Sequence, residues 1–113
     1  RYFNSETNFR KKIIGITCHN SIKLAKTAIK YNPDYIAFGA FYPTKTKRVK
    51  YKANISILKK IKKYSKLPIV AIGGINNANY KKLLLNKANF LAISGYIWNN
   101  KKFKPIEAIK KLK

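Results

Sequence analysis

Residues 38–47 read FGAFYPTKTK: a glycine follows an apolar run, and a proline-braked loop comes next, with two hydroxyls and two lysines in its last four residues. Thr44 and Thr46 lie two residues apart, so in an extended segment their hydroxyls point the same way, and Lys47 sets a compact positive charge beside them. A phosphate in that loop is hydrogen-bonded and neutralised together. A second apolar run leads into a glycine pair (PIVAIGGIN, 68–76), and a third ends in a small hydroxyl (FLAISG, 90–95). Glycine suits a place where the backbone must approach a ligand closely. Three strand ends are therefore expected to carry groups suited to one anion, with Thr46, Gly74 and Ser94 converging on a phosphate.

Four short apolar runs alternate with four amphipathic stretches, the pattern of a repeated βα unit. The first strand is expected over IIGITC (13–18), followed by a helix with Ile22, Ala25, Ala28 and Ile29 on one face and Asn20 or Ser21 as its cap. YIAFG (35–39) is the second strand, entered through Pro33 and Asp34, and a helix bearing Leu58 and Ile61 follows the lysine-rich loop. The third strand begins after Pro68; Asn76 or Asn77 then caps a helix whose apolar side includes Leu83 and Leu84, and FLAIS (90–94) is the fourth strand. Pro105 fits the first turn of a last helix carrying Ile106, Ile109 and Leu112, while residues 1–12 read as the end of an earlier helix.

Short, nearly continuous apolar strands separated by helices predict a parallel α/β sheet. Either an open doubly wound sheet or part of a (β/α)8 barrel would use groups at strand ends. Phosphate groups on the last two strands favour the barrel, whose phosphate sites commonly follow strands seven and eight. A full barrel takes about 250 residues. The 113 residues therefore read as a single partial domain, the C-terminal half of a TIM barrel with about four βα units. The opening Arg1, in place of methionine, suggests that the natural protein starts earlier. Two strand edges, at the strand beginning Ile13 and the strand containing Ile93, are expected to lack a neighbour, with apolar surface beside them.

With 46% hydrophobic and 13% aromatic residues the chain can bury a core, which argues against disorder despite its charge. No apolar run reaches the roughly 20 residues needed to cross a bilayer, so a soluble cytoplasmic protein without a membrane partner is expected. The single cysteine excludes an internal disulfide framework. The formal charge of +23 invites a nucleic-acid reading, yet Arg1, Arg10 and Arg48 are the only arginines, and the lysines spread over every expected helix. Heavy use of Lys, Asn, Ile and Tyr is instead the mark of A/T-rich codons acting on solvent-facing positions. A nucleic-acid partner is not expected.

Taken together, GITCHN (15–20), DYIAFGAFYPTKTK (34–47), PIVAIGGINNAN (68–79) and LAISG (91–95) resemble, in order and spacing, the C-terminal half of thiamine phosphate synthases, over about residues 13–97. The resemblance implies a transferase joining 4-amino-2-methyl-5-(diphosphomethyl)pyrimidine to thiazole phosphate, giving thiamine phosphate and pyrophosphate. It implies dissociative chemistry: pyrophosphate leaves, a pyrimidine-stabilised methylene cation forms, and the thiazole nitrogen attacks it. By matching position, Thr17 and Lys47 should meet the pyrophosphate, Thr44 and Thr46 the thiazole partner, and the backbone around Gly74, Ile93 and Ser94 the thiazole phosphate. The resemblance also implies Mg2+, with its acidic ligands and a pyrimidine-gripping basic motif on the family's first four strands. Phosphorylated small molecules are then the partners, and a further half-barrel or a second copy is needed.

Some positions depart from the family pattern. Thr17 replaces the usual serine, Ala40 stands where proline is common, and Gly95 where alanine is common; none of these removes a ligand. Glu6, Asp34 and Glu107 are the only carboxylates, and none is expected at a strand end, so this stretch does not supply the family's metal site.

Plainer readings stand beside these. Thr44, Thr46 and Lys47 fit a solvated loop, Gly73 and Gly74 a simple turn, and Ser94 a packed hydroxyl. His19 fits a hydrogen bond to a neighbouring loop, and adjacent Cys18 should face away from it, against a Cys-His nucleophile pair. Tyr96 and Trp98 read as packing groups. Two other functions compete: a thiazole tautomerase-like isomerase with His19 carrying the proton, and a non-catalytic basic binding module. The Thr-x-Thr-Lys loop argues for the synthase, because a proton shuffle has no second phosphorylated substrate to hold.

Overall fold

A computed structural model of the chain describes residues 12–43 and 52–113. Four strands form one sheet: β1 (Gly15–Thr17), β2 (Tyr35–Phe38), β3 (Ile69–Ile72) and β4 (Phe90–Ala92). They lie side by side in chain order, and every pair is parallel. Helices α1 (Ile22–Ile29), α2 (Ser56–Tyr64) and α3 (Tyr80–Leu85) make the crossovers, and α4 (Gly95–Trp98) and α5 (Pro105–Lys110) follow β4. Right-handed crossovers that always add the next strand on the same side keep the helices on one face. A doubly wound sheet needs a reversal of strand order, and none occurs among these strands. The winding is that of a barrel.

Burial follows the strand pleat. Ile36, Phe38, Ile69 and Ala71 alternate toward the helices and pack with Ala25, Leu58, Ile61 and Leu83 in one core. The opposite row runs Thr17, Ala37, Val70, Phe90 across the sheet. Apart from buried Ala37, this face is less covered: Phe90 is 60% exposed and Ile72, one row on, is 37% exposed. At the amino edge Asn89 ties β3 to β4, its N–H donating to the Ile69 carbonyl and its Oδ1 accepting from the Ile69 N–H, each at 2.9 Å. Lys62 on α2 donates to the same Oδ1 and to the Leu67 carbonyl, and burial pulls its pKa down. No helix among the described residues is long and apolar enough to cross a membrane.

The expected elements form with shifted ends. Ser21 caps α1, its Oγ accepting from the Leu24 N–H at 3.0 Å. β1 is shorter than residues 13–18: Ile13 and Ile14 precede it, 78% and 58% exposed, and Ile14 is tied to Asp34, whose N–H donates to the Ile14 carbonyl at 2.7 Å. α3 runs from Tyr80 and is led in by a turn over residues 77–79, where the Asn76 Oδ1 accepts from the Ala78 and Asn79 N–H groups, the bonds expected of a cap at Asn76. Leu83 is buried while Leu84 is 42% exposed, since this short helix buries a single row. Pro105 opens α5 as expected, but Ala108 rather than Ile106 or Ile109 is its buried residue. α4 was not anticipated; four residues are too few to leave a helical period. The helix end expected over residues 1–12 lies outside the described residues except Lys12.

β1 and β4 are the edges of the described sheet, as expected. With Phe90 and Ile72 beside them, the 113-residue chain by itself should self-associate. Size-exclusion chromatography over a concentration series should show oligomers, and a cooperatively folding monomer at every concentration would contradict the half-barrel architecture.

Candidate active site at the carboxyl edge of the sheet

All four strands point their carboxyl ends to one edge, and backbone hydrogen bonds carry the sheet's ladder past the strands into the loops. The Cys18 N–H donates to the Ala37 carbonyl at 2.7 Å, and the Gly39 N–H donates to the His19 carbonyl at 3.0 Å. The chain leaves β2 through a cis Gly39–Ala40 peptide. On the other side the Phe41 and Tyr42 N–H groups donate to the Ile72 and Gly73 carbonyls, each at 3.2 Å. The loop after β2 is thus joined to the loops after β1 and β3.

The glycine pair makes this join possible. Gly73 and Gly74 have φ of +105° and +64°, a region side chains rarely adopt. A Cβ on Gly73 would lie 2.4 Å from the Ala40 Cβ, and one on Gly74 would lie 2.5 Å from the Pro43 carbonyl oxygen. Two loops therefore lie backbone against backbone, which the simple-turn reading of the pair does not require.

Gly74 lies four residues beyond Val70 and Ser94 four beyond Phe90, and Val70 and Phe90 are register partners. Gly74 thus comes just past the end of β3 at Ile72 and Ser94 just past the end of β4 at Ala92, and those two ends are themselves register partners. Ser94 is exposed, occupies the position before α4, and makes no capping bond with its side chain. Ile93 packs partly against the core, so only its backbone is left for a ligand. Thr17 closes β1 on the face opposite buried Cys18, in the row of Val70 and Phe90. Thr17, the last residue of β1, lies two strands away from β3.

Thr44, Thr46 and Lys47 lie outside the described residues. Their flanks are described: Pro43 rests on Gly74, the Ala53 N–H donates to the Ala40 carbonyl at 2.8 Å, and the Asn20 Nδ2 donates to the Lys52 carbonyl at 3.1 Å. Both described flanks of the lysine-rich segment, Pro43 and Lys52, therefore lie at this edge. Sequence reasoning missed Tyr42 and Asn79, which brace the glycine turn. The Asn76-x-x-Asn79 spacing was a signal for an asparagine-built turn, but it read only as a helix cap.

Cys18 is fully buried, its Sγ 3.7 Å from the Ile16 carbonyl, and burial pushes the thiol pKa up. A nucleophilic thiolate is not available there. His19 is exposed at φ +53°, and its carbonyl accepts the Gly39 N–H. Tyr96 packs, donating to the Ala108 carbonyl at 2.9 Å, whereas Trp98 is 72% exposed. Among the described residues no three His, Cys, Asp or Glu side chains gather. Asp34 sits at the opposite, amino edge, accepting the Ile14 N–H at 2.7 Å, and Glu107 lies on α5. The described residues do not fit a magnesium ion. Away from the edge, Lys26, Lys60 and Lys63 line a shallow outer groove, with the Lys26 ammonium 4.8 Å from the Tyr64 ring.

The two kinds of glycine should respond differently to alanine. Gly74→Ala meets both positive φ and the Pro43 backbone, and should cost at least about 1–3 kcal/mol. A Cβ on Gly95 has only the Asn99 side chain, at 3.9 Å, within reach. Gly95→Ala, at the start of α4, should be neutral or stabilising by up to about 1 kcal/mol. Chemical denaturation of the whole gene product carrying these residues checks both, and equal effects would contradict the loop contact.

Residues 5–97 match the family described as thiamine monophosphate synthase. A thiamine-phosphate synthase of Pelagibacter ubique (strain HTCC1062) is 74% identical over 104 residues, which are 92% of this chain and 50% of that protein. One of Nitrosomonas eutropha is 47% identical over 85 residues, 75% of this chain and 40% of that protein. The solved structure of a thiamine phosphate pyrophosphorylase from Pyrococcus furiosus superposes with a TM-score of 0.78 at 27% identity, covering 96% of this chain and 50% of that one. The chain spans about half the length of these relatives or less. A one-way parallel winding, a glycine turn locked to the preceding loop and a match across most of its length make this chain a member of the thiamine monophosphate synthase family.

Proposed function

We propose that these residues form the phosphate-holding half of a thiamine phosphate synthase, which joins the pyrimidine diphosphate to thiazole phosphate in thiamine biosynthesis. The observation that carries this reading is the placement of Gly74 and Ser94 just past the ends of the adjacent strands β3 and β4, with the Tyr42 and Pro43 backbone against Gly74. Backbone N–H groups at such a turn, with a small hydroxyl beside them, hold a phosphate ester without changing its charge. The separation of Thr17 from this pair suits a second anion, the departing pyrophosphate. The reading carries with it a cytoplasmic location and phosphorylated small molecules as partners.

In the reaction the bond from the pyrimidine methylene carbon to the diphosphate oxygen breaks, and its electron pair leaves with pyrophosphate. The thiazole nitrogen then gives its lone pair to the methylene carbon. The Lys47 ammonium stabilises the negative charge that grows on the leaving group, and the Thr17 hydroxyl donates to it. Thr44 and Thr46 orient the thiazole, and the backbone at Gly74 and Ile93 with Ser94 fixes its phosphate, holding the nitrogen near the reacting carbon. The Mg2+ implied by the resemblance would be held by residues beyond those described and would supply neutralisation of the leaving charge. The relatives' names favour neither the isomerase nor the binding module.

Steady-state kinetics with both substrates on the whole gene product test this assignment. Lys47→Ala should lower kcat by roughly 100-fold or more, as loss of a charge-stabilising donor does, with less change in the KM for thiazole phosphate. Ser94→Ala should chiefly raise that KM, and His19→Ala should be tolerated. A near-wild-type Lys47→Ala together with a dead His19→Ala would overturn the synthase reading.

A further inference from the structure

The glycine turn is held by more than its own conformation. The Gly73 carbonyl accepts the Tyr42 N–H at 3.2 Å, and the Gly74 carbonyl accepts the Asn79 Nδ2 at 3.0 Å. In a trans peptide the N–H points opposite to the carbonyl. Fixing these two carbonyls therefore fixes the directions of the Gly74 and Ile75 N–H groups, the successive donors that such a turn can offer an anion. Asn79 is itself held: its Oδ1 accepts the Asn76 N–H at 2.9 Å, and its carbonyl accepts the Tyr42 hydroxyl at 3.3 Å. Tyr42 thus grips both the turn and the residue that braces it. All of these groups lie in residues 42–79, between the loop after β2 and the start of α3.

We infer that Asn79 is a positioning residue for the thiazole phosphate, orienting the Ile75 N–H through the Gly74 carbonyl, with Tyr42 holding Asn79 in place. The inference rests on the reading of the Gly74 and Ser94 edge as the phosphate site. Asn79 does not touch the phosphate. Its side chain makes one donor bond to the turn and one acceptor bond within it, so an amide is required: a carboxylate keeps the acceptor and loses the donor.

The test is the KM for each substrate in Asn79→Ala, Asn79→Asp, Tyr42→Phe and Ser94→Ala forms of the whole gene product, with circular dichroism as a check on folding. Loss of one such hydrogen bond corresponds to about fivefold. The expected result is a rise of about that size or more in the KM for thiazole phosphate in both Asn79 variants, a smaller rise in Tyr42→Phe, and an unchanged KM for the pyrimidine diphosphate. A merely structural Asn79 would lower thermal stability and leave both KM values alone, which overturns the inference. Asn79→Asp is nearly isosteric, so it keeps the test decisive where Asn79→Ala fails to fold. Ser94→Ala separates the two levels: if it raises the thiazole phosphate KM while the Asn79 variants do not, the site stands and the inference falls. If neither has an effect, the site reading falls and takes the inference with it.

Discussion

Everything at the carboxyl edge depends on the contact between the loop after β2 and the glycine pair after β3. The Phe41 and Tyr42 N–H groups continue the parallel ladder onto Ile72 and Gly73, and the backbone at Pro43 comes against Gly74 where any side chain would stand. Because these are backbone bonds, they fix where the lysine-rich segment starts whatever its side chains are. The core beneath makes this contact rigid. Phe38 and Ala71 are register partners directly before the two loops, and both are fully buried against the helices.

The winding explains why the candidate groups gather at this edge. Strands added in one direction curl the sheet and put every strand's carboxyl end on one rim, so groups far apart in sequence become neighbours. Ser94 and Gly74 come to the same rim because β3 and β4 pair in parallel, not because of any local spacing. The same winding leaves a face with Phe90 and Ile72 exposed and, among the described strands, two edges. In relatives of twice the length, the matched region is one half of a larger whole.

Much of this was legible in the sequence because it is periodic or punctuated. The strands stand out as short, nearly continuous apolar runs such as YIAF (35–38) and IVAI (69–72), Leu58 and Ile61 recur as on a helix, and Ser21 and Pro105 mark helix starts. The glycine pair stood out because few other residues tolerate its φ values. The bracing of that pair was not legible. Tyr42 and Asn79 are 37 residues apart, and asparagine side chains that bond loop backbone leave no repeating pattern. The closure of the sheet was undecided for the same reason, since strand order is a long-range property that periodicity does not carry. Thr44, Thr46 and Lys47 remain supported by their types, their spacing and their described flanks.

The charge of +23 makes phosphate binding easy to find and hard to interpret, because many exposed lysines attract anions weakly. The central claim is more specific: the rim formed by the Gly74 turn and Ser94 is a built phosphate site. Amide chemical shifts of the whole gene product, followed during titration with thiazole phosphate at fixed ionic strength, test it most directly. The account predicts saturable shifts largest at Gly74, Ile75, Ser94 and Gly95, with little change at Lys26, Lys60 and Lys63 in the outer groove. Shifts that follow the lysines and leave the glycine turn unmoved would contradict it.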